Sequence, residues 1–246
     1  MKYLLLICSD GVPTPEKAAA VRAHLPAWDE EMERRGILLG GAPLDPPSTA
    51  KIVRVRDGKT LVTDGPYAET KEYIAGVDLL DCVTLEEAVE VAAKMPVSWF
   101  HAVEVRRFWD GDERLAPVHR TARACGSGTP MPMRYLLTMY LDGIPLQPEA
   151  QAAMERDGEA WRAEVESAGV QVFGNALQPP AAAKTVRVRG GKTLVTDGPF
   201  AETKEFVGGV DVLSCETFEE AVALAAKNPV AKLQSVEVRR FTHESP

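Results

Sequence analysis

The sequence predicts an α+β protein built from two tandem βαββαβ domains, each carrying an inserted β-hairpin. Three observations predict it. The segment Lys51-Ile-Val-Arg-Val-Arg-Asp-Gly-Lys-Thr-Leu-Val-Thr-Asp-Gly-Pro-Tyr-Ala-Glu-Thr-Lys-Glu72 recurs at residues 184–205, an offset of 133. Aligned from Trp28–Phe108 onto Trp161–Phe241, about 49 of 81 positions are identical. Within each copy, short apolar runs alternate with two stretches of helical character, and a two-residue Asp57-Gly58 turn joins two alternating runs. The domains are expected at 1–108 and 134–246. The join at 109–133 contains Gly111, Pro117, Gly126, Gly128, Pro130 and Pro132, lacks an apolar period and reads as a surface linker.

The elements of the first copy follow in order. Residues 2–8 are an apolar run and read as a strand. Residues 15–35 read as a helix interrupted at Pro26, where the second copy has Gly158, with Trp28 and Trp161 as core aromatics. Gly36 and Gly169 end these helices. Residues 37–44 are the next strand. In the hairpin a two-residue loop sets the register, so Arg56 faces Lys59, Val53 faces Val62 and Lys51 faces Asp64. Val53, Val55, Thr60 and Val62 then share one face, expected to be core, and Arg54 and Arg56 share the other. Residues 73–82 read as a strand. Thr84 caps a helix over 85–94 with Glu86 and Glu87 in its first turn, and 101–108 form the last strand. Without the hairpin this is the ferredoxin-like pattern. Such a sheet carries helices on one face and needs cover on the other. Two repeats can cover each other, so the expectation is an intrachain pseudo-dimer closed as a dimeric α+β barrel.

Composition narrows the function. The 246 residues are 45% hydrophobic and 26% charged, as in ordinary globular proteins. The net charge of −8 argues against direct nucleic-acid contact and against a polybasic membrane-surface role. Residues 1–108 hold 13 basic and 17 acidic groups and residues 134–246 hold 12 and 16, so each repeat carries −4. Two acidic repeats that meet need an apolar or charge-paired seam. The run Tyr3–Cys8 is too short for a signal peptide and is read as a buried strand of a cytoplasmic protein. The four cysteines form no CxxC pair; Cys8, Cys82 and Cys215 are expected in the core and Cys125 in the linker.

Asp64-Gly-Pro-Tyr-Ala-Glu-Thr-Lys-Glu72 and Asp197-Gly-Pro-Phe-Ala-Glu-Thr-Lys-Glu205 resemble the signature of the YCII-related proteins, specifically the DGPF branch. The flanking Val-Arg-Val-Arg, Gly-Lys-Thr-Leu-Val-Thr and the terminal Val103-Glu-Val-Arg106 and Val236-Glu-Val-Arg239 fit too. The resemblance covers both repeats. It implies the ferredoxin-like fold with pairing into an α+β barrel, an association with extracytoplasmic-function sigma factors, and little about reaction. It also implies an acid–base dyad of a first-helix histidine and an aspartate before a proline. His24 resembles the histidine, but Met95 and Asn228 stand at the aspartate positions. The dyad is therefore incomplete, and His24 is only a weak catalytic candidate.

The motif kept its charges in both copies while the first helix drifted: Glu30, Arg34 and Arg35 align with Ala163, Ser167 and Ala168. Two readings follow. In one, Arg54, Asp64, Glu69, Lys71 and Glu72, with Arg187, Asp197, Glu202, Lys204 and Glu205, are inter-repeat contacts, Asp64 pairing with Lys51 across the hairpin. In the other, they line a pocket between the sheets and hold a small polar ligand. The expected function is a ligand-binding or regulatory module; the alternative is an enzyme acting on a small polar metabolite. No metal or cofactor motif is present, and the expected partners are the two repeats themselves, a small polar ligand and a further homodimer.

Overall fold

The computed structural model describes residues 1–9, 11, 13–67, 72–109, 133–201 and 203–242. The linker and the motif positions Glu69, Lys71 and Glu202 therefore fall outside the described residues, in whole for the three motif positions and nearly so for the linker. The first repeat runs β1 (Lys2–Ser9), α1 (Pro15–Arg34), β2 (Leu38–Pro43), β3 (Lys51–Arg56), β4 (Lys59–Asp64), β5 (Tyr73–Asp81), α2 (Leu85–Lys94) and β6 (Ala102–Arg107). The second runs β7 (Met133–Leu141), α3 (Pro148–Ser167), β8 (Gln171–Ala176), β9 (Lys184–Arg189), β10 (Lys192–Asp197), β11 (Phe206–Cys215), α4 (Phe218–Lys227), α5 (Pro229–Leu233) and β12 (Ser235–Arg240).

Local chemistry behaves as expected. Asp57 and Gly58 have φ of 50° and 72°, and Gly190 and Gly191 have 57° and 74°. These are the left-handed pairs a tight hairpin turn requires. The ladder pairs Arg56 with Lys59, Val53 with Val62 and Lys51 with Asp64. Thr84 accepts the N–H of Glu87 at 3.1 Å, and Glu87 returns to the N–H of Val83 at 2.8 Å, so two unpaired helix donors are satisfied at once. The expected break at Pro26 does not occur: α1 is continuous. Pro26 lies on the exposed side, while Trp28 and Met32 beyond it are buried and the Trp28 indole donates to Val91 O at 3.3 Å. Burying two large side chains, about 1.5–3 kcal/mol each, offsets the lost backbone bond.

The hairpins change repeats. The strand orders are β10-β9-β6-β1-β5-β2 and β4-β3-β12-β7-β11-β8. β3 pairs with β12 (Val236 opposite Val53), and β9 pairs with β6 (Val103 opposite Val186). Each repeat thus lends its hairpin to the other's sheet. Val53 is fully buried beneath the second repeat's helices, among Tyr135, Leu137, Trp161 and Ala221, and Val186 is buried beneath the first repeat's. The expected core face of the hairpin is only half realised. β4 is exposed along its whole length, including Thr60 and Val62, because it forms the outer edge of its sheet.

The layers are helices, sheet, sheet, helices. Leu4, Leu6, Val77 and Leu79 of one sheet pack on Leu136, Phe173, Val210 and Val212 of the other. The expected closed barrel is not formed. The sheets remain two six-stranded units, joined at their ends by the isolated bridges Leu44–Phe241 and Phe108–Leu177. Among the described residues no helix is long and apolar enough to cross a membrane.

Candidate functional site

On β6, Val103 and Val105 face the helices, so Glu104 and Arg106 must face the other sheet. Glu237 and Arg239 on β12 do the same. All four are buried: Glu104 is 5% exposed, Arg106 1%, Glu237 2% and Arg239 2%. Charges at that depth require partners. Arg106 Nη1 meets Glu104 Oε1 at 3.1 Å, and Arg239 Nη2 meets Glu237 Oε1 at 3.1 Å.

The motif loops complete these pairs from the opposite repeat. After β4 the chain bends at Gly65, where a Cβ would lie 2.8 Å from the Ala50 Cβ, so only glycine fits. The bend delivers the Tyr67 N–H to Glu237 Oε2 at 3.1 Å. In the second copy Gly198 takes φ 88°, and the Phe200 N–H donates to Glu104 Oε2 at 2.9 Å. Each loop also brings an arginine over its aromatic ring: Arg54 lies 5.7 Å from the Tyr67 centroid and Arg187 5.1 Å from that of Phe200. Arg54 Nε further donates to Ser235 Oγ at 2.7 Å, in the other repeat. Tyr67 stacks on Tyr140 at 4.0 Å and 8°.

The two copies differ in what surrounds them. Cys8 and Leu6 face the seam in the first repeat, and Tyr140 and Thr138 occupy the matching places in the second. Burial, then the Glu104 charge, pushes the Cys8 thiol up. Burial, then Glu237, pushes the Tyr140 phenol up, with Arg239 opposing. Burial lowers the Arg106 guanidinium against the opposing pull of Glu104.

The other expected site residues separate. Asp64 is exposed and pairs with Lys51 at 2.5 Å, and Asp197 is exposed and pairs with Lys184, so both carboxylates point outward. Glu72, Lys204 and Glu205 are exposed. His24 is exposed on α1 with its ring 5.3 Å from that of Trp99, far from the seam groups in the fold. Among the described residues no three His, Cys, Asp or Glu side chains gather as a metal site. A groove of about 540 Å³ lies outside the seam, where Lys51, Thr60 and Val62 of the first hairpin meet Phe218, Val222 and Lys227 of α4.

Sequence reading missed Glu104, Arg106, Glu237 and Arg239 as site residues. Their signal was present: glutamate and arginine alternate with valine in a strand that repeats unchanged. A strand with a helix on one face and charge on the other reads as half-solvated until its second face is known to be covered.

A sequence profile of the YCII-related domain matches residues 1–110 and 133–244. The chain belongs to the YCII-related family. Both repeats are therefore YCII-related domains, and this chain carries that domain twice in tandem. An uncharacterized protein of Rhizobium meliloti (strain 1021) is 36% identical over 96 residues, covering 37% of this chain and 77% of that protein. The crystal structure of a candidate chlorite dismutase, TA0507, aligns with a TM-score of 0.45 and 8% identity, covering 98% of this chain and 94% of that one.

Proposed function

We propose that this YCII-related protein is a non-catalytic binding module that holds a small polar molecule between its two sheets. One observation carries the reading. Both buried Glu–Arg pairs sit at a seam built by the two repeats together, and each leaves guanidinium donors, Arg106 Nε and Arg239 Nε, without an acceptor. Protein interiors rarely leave charged donors unmet unless water or a ligand supplies the acceptor. The same pairs are closed over by the motif loops of the opposite repeat, which accounts for a motif kept in both copies. Ligand bound there touches both repeats and so tightens their union, which suits a sensory or regulatory role.

A thermal-shift screen of small polar metabolites, anionic, neutral and cationic, tests this. A saturable rise in melting temperature with at least one compound is expected, since anything that binds the folded state alone stabilises it. Loss of that rise in Arg54→Gln or Arg187→Gln places the compound at a seam. A screen in which no compound shifts the wild type sinks the reading.

A further inference from the structure

The two seam sites share residue types but not their state of satisfaction. Arg106 directs Nη1 to Glu104 and Nη2 to the carbonyls of Gln178 and Val207, at 2.6 and 3.1 Å. Only its Nε is left over. Arg239 directs Nη2 to Glu237, and both its Nε and its Nη1 are buried without an acceptor. Leaving charged donors unmet in the interior is costly, and the cost at Arg239 is the larger by one donor.

The walls differ in the same sense. The strand beside Glu104 offers Leu6 and Cys8, whereas the strand beside Glu237 offers Thr138 and Tyr140. The first site is lined with apolar groups and its arginine is closed off by backbone carbonyls. The second has a threonine and a tyrosine at those places, and two buried donors of its arginine are unmet. Across the stacked Tyr67 and Tyr140, Arg54 also lies on the Arg239 side.

We infer that the seam beside Arg239, and not its counterpart beside Arg106, binds one small carboxylate per chain, held by the two unmet donors of Arg239. This rests on the binding-module reading and adds the ligand's class, its place and its stoichiometry. A carboxylate supplies planar acceptors matched to guanidinium donors, and its charge complements the cation that holds it. The repeats, nearly equal in sequence, would then be unequal in use: the first site locks the two sheets, and the second senses.

The test titrates the full chain with sodium acetate, acetamide and inorganic phosphate at constant ionic strength, read by calorimetry and thermal shift. Acetate is expected to saturate at one site per chain and acetamide to be silent. Arg239→Lys should weaken acetate by about tenfold or more, since lysine offers a point charge in place of a fork, and Arg106→Lys should leave it unchanged. If Arg239→Lys fails to fold, Arg54→Gln decides, as it removes the second cation of the same site from a half-exposed position. It should weaken acetate severalfold, and Arg187→Gln should not. Two acetates per chain, equal loss from Arg106→Lys, equal binding of acetamide, or binding of phosphate alone would each overturn the inference. Silence towards acetate overturns it too. The wider seam reading survives that outcome if the metabolite screen has yielded a seam ligand, and fails only if the screen is silent as well.

Discussion

The backbone N–H of Tyr67 donates to Glu237 Oε2 at 3.1 Å, tying the motif loop of one repeat to a buried carboxylate of the other. Phe200 and Glu104 repeat the relationship at 2.9 Å. The carboxylate therefore has two duties: one oxygen neutralises a buried arginine and the other receives a chain from the opposite repeat.

Glu237→Gln should destabilise the protein by about 3–5 kcal/mol, the cost of stranding a buried charge. Arg239 would be left without a counter-ion at 2% exposure. Replacing both partners, as Glu237→Leu with Arg239→Met, should cost far less, because no orphan remains. Urea unfolding of the two variants checks the contrast. Equal losses would mean the pair acts through shape and not charge.

The exchanged hairpin predicts a specific cross-link. Val53 lies opposite Val236 on the neighbouring strand, within the span a disulfide bridges. The variant Val53→Cys with Val236→Cys should oxidise to that link, found by peptide mapping. If the hairpin instead completed its own repeat's sheet, Val53→Cys with Val103→Cys would form the link.

Arg56 provides a second clamp across the exchange. Its guanidinium donates to the carbonyls of Ala231, Lys232, Leu233 and Gln234, at the C-terminal end of α5. Arg189 does the same for Ser98, Phe100 and His101. A fork-shaped cation is well suited to the partial negative charge of a helix C-terminus. Arg56→Ala should lower stability by about 1.5–3 kcal/mol, the range for hydrogen bonds to a charged group, with partial recovery in Arg56→Lys. Denaturation midpoints measure both.

The buried thiols predict an alkaline limit. Burial, then Glu87, pushes Cys82 up to about 12, and burial, then Glu220, pushes Cys215 up to about 12. The folded state thus holds its protons more tightly than the unfolded chain, where the thiol titrates near 9.0. Stability is undiminished below that pH and falls as pH rises from there towards 12. At pH 8 iodoacetamide should spare Cys8, Cys82 and Cys215 in the native protein and modify them after unfolding, as site-resolved mass spectrometry would show.

Much of the fold was legible because its determinants are local. The turn at Asp57-Gly58 sets φ at two residues, and that alone fixes which residues of β3 and β4 face each other. Thr84 and Glu87 mark the start of α2 by satisfying each other's neighbouring donors. Pro26 misled because its local cost is outweighed by the distant anchoring of Trp28 and Met32. Thr60 and Val62 misled because alternation tells which residues share a face, not whether another layer covers it.

The candidate site was legible only in outline. Arg54 and Arg187 lie over the motif aromatics Tyr67 and Phe200, and Arg54 reaches Ser235 of the opposite repeat. Asp64 and Asp197 carried equal weight in the sequence and turned out to serve the hairpins. Glu104 and Glu237 carried the decisive contacts, yet a glutamate in a valine-rich strand shows its role only when the acceptor's partner is known.

By itself the sequence determined that there are two repeats, the order of their strands and helices, the register of each hairpin and the even division of the −8 charge. Tertiary structure decided which sheet each hairpin joins, that the sheets stack without closing, and that one arginine of a matched pair keeps two unmet donors where the other keeps one. The reason is physical. A hairpin edge such as Val53 meets almost the same surface on either repeat, so no local preference distinguishes the two. The reach of the connecting chain and the fit of Arg56, Tyr67 and Glu237 across the seam make the choice.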